Sequence, residues 1–169
     1  MLKGLLGARR QAKRDDAELG KGVWRRAHDR FRRGLDRFHQ MLEGVAAAAD
    51  AGDQTPAQAA ETATNYDAMV HLADGLADLL PLVREIAAEA QTMAPSDGME
   101  IPVGTGGYLN DVHRELSRAG NSLAAAAESL ALLRLGVGTA AAVELKTRIV
   151  HQNVNHAQAL LHKTSSAGQ

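Results

Sequence analysis

Apolar residues recur through most of this chain at alternating steps of three and four, which is the spacing of one face of an α-helix. Between residues 21 and 50 the stripe consists of seven side chains: Trp24, Phe31, Leu35, Phe38, Leu42, Val45 and Ala49. The three aromatic residues are seven apart and share one line of the helix surface. Because Val45 continues that line, core packing explains it better than a cofactor-binding box. The pattern predicts a long helix with a buried aromatic row.

Three further segments carry the same stripe, over residues 55–94, 109–133 and 139–161. The first of these opens with Thr-Pro-Ala-Gln, which combines an N-cap threonine, a proline at the first helical position and a capping-box glutamine. Pro81 lies inside that segment and is expected to kink its helix. Alanine, which accounts for 32 of the 169 residues, favours helix, whereas β-branched residues are sparse. This composition therefore argues against a mainly β fold.

Short links join the first helical segment to the second and the third to the fourth, which favours antiparallel neighbours. We therefore predict an all-α protein: an up-and-down antiparallel four-helix bundle over residues 20–165. A basic N-terminal extension, helical or disordered, is expected over residues 1–19. The connection over residues 95–107 contains two prolines and four glycines, so it is a loop. Loops of this length are sometimes functional, but Ile101 and Val103 are expected to plug one end of the bundle.

Charge is distributed unevenly along the chain. Residues 1–37 hold twelve Lys and Arg against five Asp and Glu, a net charge of +7, although the whole chain has a net charge of only −1. For residues 21–37 we expect the arginines to pair with acidic residues of the second helical segment. Those acidic residues are Glu61, Asp67, Asp74, Asp78, Glu85 and Glu89.

This pairing does not account for the first fourteen residues, which contain no acidic side chain. We predict that they bind an anionic surface, either a membrane, with the nearby leucines as an apolar edge, or nucleic acid. A solvated tail is the alternative. The predicted binding residues are Lys3, Arg9, Arg10, Lys13 and Arg14.

A histidine in the third segment suggests a second hypothesis. In Val112–Asn121, His113 is followed on its own helix face by the small residues Ser117 and Gly120. Over these ten residues the chain is distantly similar to histidine phosphotransfer domains, which are four-helix bundles with an accessible histidine beside small residues. The resemblance implies that His113 is a phosphoacceptor. The lysine–glycine pair usual after that histidine is absent, and Ser117 stands at its glycine position. An ordinary surface histidine is the alternative.

The sequence gives less support to a metal site or a catalytic site. The chain has no cysteine, which excludes thiolate catalysis and zinc fingers. No Glu-x-x-His pair is present, although di-metal bundles require it. The nearest substitute sets are Asp36, His39 and Glu43, and then Asp67, His71, Asp74 and Asp78. The second set is interpreted as a solvated polar face, and His28 as a partly buried core histidine. We predict no catalytic residues, no metal ligands and no cofactor.

The sequence thus predicts a non-enzymatic, cytoplasmic helical protein that acts through contacts with a protein partner or an anionic surface. The sustained heptads also allow a second copy of the chain as partner, in a homodimer. A phosphotransfer-like module centred on His113 and a metal-binding bundle are the alternatives.

Overall fold

A computed structural model describes residues 2–50, 52, 54–102 and 107–165. These residues form five α-helices and no strand. The helices are α1 (Leu2–Leu19), α2 (Val23–Asp50), α3 (Pro56–Met93), α4 (Tyr108–Arg134) and α5 (Ala140–Ser165). The all-α class is confirmed. The expected N-terminal extension is itself a helix, so the described chain has five helices rather than four.

Local signals set the helix ends as predicted. The Thr55 side chain accepts a hydrogen bond from the Gln58 amide, and the Gln58 side chain accepts one from the Thr55 amide, which completes the capping box. The α3 helix continues through Pro81 to Met93. Gly136, at a φ of +74°, follows the end of α4, and the Thr139 hydroxyl accepts a hydrogen bond from Ala142 in the first turn of α5.

The apolar stripes of α2 to α5 form one core. Trp24, Phe31 and Phe38 are fully buried, so the aromatic row is confirmed as core. The Trp24 indole N–H donates to the Ala94 carbonyl at 3.0 Å, which satisfies its one polar atom in the interior. Small residues such as Ala119 and Ala126 are buried beside the larger side chains and let the helices approach closely.

Each of the four long helices packs against two of the other three long helices. The α2 helix contacts α3 and α4, and α5 contacts the same two helices from the other side. Within each hairpin the helices run antiparallel. Trp24, at the start of α2, bonds Ala94 at the end of α3, and Ser122 of α4 accepts from Asn153 of α5.

Between the hairpins the neighbouring helices run parallel. The α2–α4 contacts advance together along both helices, from Trp24 against His113, through Arg30 against Gly120, to Leu123 against Gly34. Contacts between α3 and α5 do the same, from Gly75 near His151 to Glu89 near His162. The prediction of antiparallel neighbours rested on the two short links and concerned the helices within each hairpin, whereas these two pairs between the hairpins are parallel.

The connection after α3 is long enough to permit this arrangement. The α3 and α4 helices lie across the diagonal, and fourteen residues separate Met93 from Tyr108. With neighbouring axes ~8–10 Å apart, the diagonal is ~11–14 Å. An extended chain covers up to ~3.3 Å per residue, so this connection is long enough to reach the diagonal position.

One end of the molecule is closed by the start of this connection. The Ser96 hydroxyl accepts from the Val23 amide at 3.2 Å and donates to the Glu100 carbonyl at 2.8 Å. A side chain at Gly22 would collide with the Ser96 backbone, so this close approach requires glycine. Ile101 is half-buried against the core, as predicted, whereas Val103 lies outside the described residues.

Candidate docking helix and His113 groove

The C-terminal half of α1 anchors this helix to α2 and α3. Leu19 is fully buried, and Asp15 is nearly so. The Arg84 guanidinium of α3 reaches an oxygen of Asp15 at 2.7 Å and one of Glu18 at 2.6 Å. Arg25 of α2 lies 2.8 Å from Asp16 and 3.8 Å from Asp15. The acidic residues of α1 are thus neutralised by arginines of the neighbouring helices.

These contacts control the ionisation of Asp15. Burial raises the pKa of its carboxyl, but hydrogen bonds from Arg84 and Gln11 and the charges of Arg84 and Arg25 outweigh this effect. The net result is a pKa below the ordinary value. Asp15 therefore stays ionised near neutral pH and holds α1 in place.

The N-terminal half of α1 is exposed. Every described side chain from Gly4 to Arg14 is exposed. The predicted anionic-surface residues Arg9, Arg10, Lys13 and Arg14 all lie on this exposed part. Lys3 lies in the first turn of α1, and its side chain is outside the described residues.

The exposed residues of α1 form two rows at helical spacing, Leu5–Arg9–Lys13 and Leu6–Arg10–Arg14. Each row begins with a leucine and continues with two cations. Leu5 and Leu6 keep 63% and 53% of their surface exposed. We call these six residues the docking face.

The expected pairing of the other basic residues with α3 is not what the structure shows. Within the described residues, the arginines between 21 and 37 that form ion pairs do so with Asp15, Asp16 and Asp29. None of these ion pairs involves an acidic residue of α3. In the ion pairs between α1 and α3, α3 provides the arginine and α1 provides the acidic residues. The acidic cluster directly after the basic run indicated that these carboxylates needed basic partners, but not that α3 would supply one.

His113 lies in a groove between α2 and α4 and is half-buried. Its ring packs edge-on against Trp24, with the ring centroids 5.8 Å apart and the planes at 82°. Burial lowers the pKa of His113, and the positive charge of Arg30 lowers it further. The imidazole is consequently neutral near pH 7.

The groove has a volume of about 170 Å³, and its polar lining residues are Arg26, Arg30, His113 and Ser117. Arg26 donates to the Gly98 carbonyl and contacts the Met99 sulfur. Arg30 crosses α4 at Gly120, where an added Cβ would lie 3.0 Å from the Arg30 Cδ atom. Sequence reasoning identified His113, Ser117 and Gly120 but missed both arginines. Their spacing of four along α2 was the available signal.

Arg30 bears on the phosphotransfer hypothesis. The small residues beside His113 do not leave an open surface, because Arg30 covers Gly120 and Met99 lines the groove. A protein approaching the imidazole meets these side chains first. Phosphoacceptance by His113 stays a prediction.

The structure does not bring the candidate metal-ligating residues together into a site. In the part of the chain that the structure describes, no three His, Asp or Glu side chains lie close enough to hold a metal ion. Asp67, His71, Asp74 and Asp78 are all exposed, in agreement with a solvated polar face. His28 is buried beside Asp29, as the core interpretation predicted.

Comparison with known proteins gives no family to guide the function. No family model, curated protein or solved structure matches this chain. Among the described helices, none is both long and apolar enough to cross a membrane.

Proposed function

We propose that this chain is a non-enzymatic docking protein, in which a four-helix bundle formed by α2 to α5 carries α1 as a helix that binds anionic membrane surfaces. The observation that supports this proposal best is the docking face. It combines four cations with two exposed leucines, and residues 4–14 contain no carboxylate. The bundle acts as a rigid mount, because α1 is fixed to it through Leu19 and the Asp15–Arg84 ion pair.

The leucines favour a membrane over nucleic acid. Phosphate recognition along a nucleic acid requires cations but no exposed aliphatic side chains. An interfacial helix uses both, with apolar residues at the acyl boundary and cations among the headgroups. Two leucines bury too little area for firm insertion, so charge supplies most of the affinity and binding is reversible.

Vesicle co-sedimentation of the full chain tests this function. We expect binding to vesicles that contain phosphatidylserine, weaker binding at high salt, and none to pure phosphatidylcholine. Each basic residue near the surface contributes about 1 kcal/mol, so Arg10→Gln/Arg14→Gln weakens binding by about 2 kcal/mol, roughly thirtyfold. The matched control is Arg33→Gln/Arg37→Gln, which removes the same charge from exposed positions of α2.

Two results would contradict the proposal. Equal losses in the two double variants would show a diffuse charge effect rather than a docking face. Unchanged binding by Leu5→Ser/Leu6→Ser, together with equally tight binding of duplex DNA, would assign α1 to nucleic acid instead of membranes.

A further inference from the structure

The groove beside His113 collects positive charge without a compensating carboxylate. Among the residues that the structure describes, seven line the groove; they include two arginines, one histidine and one serine, but no Asp or Glu. Within the described residues, the Arg30 side chain forms no ion pair and no hydrogen bond, whereas Arg25 and Arg32 of the same helix are ion-paired. A cation that faces a small concave site without a protein partner is available to a bound anion.

The parallel packing of α2 and α4 brings the donors to one level. Arg26 and Arg30 are four residues apart on α2, and His113 and Ser117 are four apart on α4. Each pair therefore lies on one helix face, and the two faces line the same groove. Guanidinium, imidazole and hydroxyl groups are all hydrogen-bond donors to oxyanions. Ligand pockets for drug-sized molecules usually measure about 300–1,000 Å³, so a groove of 170 Å³ suits only a small group.

We infer that this groove binds a small tetrahedral oxyanion of the phosphate class, with Arg26 and Arg30 providing the charge and His113 and Ser117 further hydrogen bonds. Free phosphate and a phosphomonoester on a larger molecule present this same chemistry. His113 is a ligand in this site, and no bond is formed or broken. The inference goes beyond membrane docking and does not depend on α1.

Two packing features position the Arg30 and His113 side chains for anion binding. Glycine at position 120 leaves room for Arg30 to lie across α4, which a larger residue would prevent. The buried Trp24 ring, fixed by its bond to Ala94, packs against the imidazole and restricts its orientation. The charged groups that line the groove with His113 are Arg26 and Arg30 of α2. Among the described residues of the connection after α3, Met99 alone lines the groove, and α4 adds the uncharged Ser117.

NMR titration of the histidine ring signals tests the site in the intact chain. His113→Gln identifies the His113 signals among those of the seven histidines. A bound anion favours the imidazolium, so inorganic phosphate is expected to raise the His113 titration midpoint in a saturable way. Chloride at equal ionic strength serves as the reference. An identical midpoint in phosphate and chloride would overturn the inference.

Charge variants separate a defined site from general attraction. We expect Arg30→Gln to weaken phosphate binding by about tenfold, as for the loss of one charge-assisted hydrogen bond. Arg33→Gln, at an exposed position of the same helix that does not line the groove, is expected to keep the wild-type affinity. Equal weakening by both variants overturns the inference. Far-ultraviolet circular dichroism checks that each variant is folded.

Two further measurements distinguish the anion source and the two proposals. Binding of inorganic phosphate alone assigns a free ion, and binding of O-phosphoserine as well assigns a phosphorylated group. Either result supports the site, and binding of neither overturns it. Arg10→Gln/Arg14→Gln is expected to keep phosphate binding at His113 while it loses vesicle binding, so that failure of one proposal is separable from failure of the other.

Discussion

Trp24, Phe31 and Phe38 have no exposed surface and occupy successive levels of the core along α2. Their seven-residue spacing was enough to predict burial, because neighbouring apolar residues of α2 extend the same stripe. The indole hydrogen bond to Ala94 was not predictable, since its acceptor lies 70 residues away at the end of another helix. Periodicity within a segment identifies the buried face but not the partner that the face contacts.

Truncation of a buried ring tests the core directly. Phe38→Ala is expected to lower the free energy of unfolding by about 3–5 kcal/mol, because it removes apolar contacts and leaves a cavity. Phe38→Leu keeps much of the volume and is expected to cost less. Chemical denaturation measures both values. A loss below about 0.5 kcal/mol for the alanine variant, typical of surface substitutions, would show that the ring is not in the core.

Buried His28 makes the stability depend on pH. Burial lowers the pKa of His28, and the nearby carboxylate of Asp29 only partly offsets this effect. Between its pKa in the folded protein and the ordinary value of 6.5, the unfolded chain binds more protons than the folded one. The free energy of unfolding is therefore expected to fall as the pH decreases from about 7 through this window.

His28→Gln isolates this contribution. It is expected to flatten the pH dependence measured by urea denaturation, although the lowered pKa of His113 leaves part of the slope. His71→Gln, at an exposed position of α3, is the matched control and is expected to keep the wild-type slope. A slope unchanged by His28→Gln would contradict the proposed cause.

At the scale of elements, α1 shows what local sequence cannot predict. Gly4 and Gly7 weaken its helix propensity, so a helical and a disordered extension were equally compatible with the sequence. Its anchoring comes from Arg84, which lies 69 residues beyond Asp15. Neither the basic run nor the acidic cluster indicates by itself which helix will supply the partner.

Removal of that anchor is expected to release α1 alone. Arg84→Gln takes the strongest partner from the buried Asp15 carboxylate, and detachment of α1 returns that charge to water. Hydrogen exchange of the amides near Asp15 is expected to accelerate by about tenfold or more, in line with the loss of a hydrogen bond between charged groups. Exchange within α4 and α5 is expected to stay unchanged.

The matched control for this variant is Arg148→Gln. Arg148 pairs with Glu144 on the exposed surface of α5, whereas α1 packs against α2 and α3. It is expected to leave α1 exchange at the wild-type rate. Acceleration throughout the molecule in Arg84→Gln would instead indicate global destabilisation and contradict a local anchor.

At the scale of the whole molecule, the sequence predicted the four long helices but not their order around the core. The alanine-rich buried faces of the helices can pack against several neighbouring helices. The two short links specify only which helices pair within a hairpin. The long connection after α3 permits an adjacent or a diagonal position for α4. Which of these positions α4 occupies depends on packing between the hairpins, and that packing also places Arg26 and Arg30 beside His113.

A disulfide tests the parallel packing of α2 and α4. A Cβ atom built on Gly120 lies 3.8 Å from the Cβ of Arg30, which is close to the mean separation in disulfides, about 3.8 Å. The chain has no native cysteine, so Arg30→Cys/Gly120→Cys is expected to cross-link readily and without competition on oxidation. Arg33→Cys/Gly120→Cys is the control. Comparable cross-linking of both pairs, measured by gel mobility, would contradict the predicted alignment.

The two hairpins pack through the parallel helix pairs α2–α4 and α3–α5, which has a consequence for self-association. Residues 23–93 and 108–165 form separate hairpins, and one connection joins them covalently. A second copy of the chain has the same two packing surfaces between its hairpins. If the connection extended towards that copy instead of folding back, the two chains would exchange hairpins and rebuild every core contact between them. We therefore expect the length of this connection to influence whether a domain-swapped dimer can form.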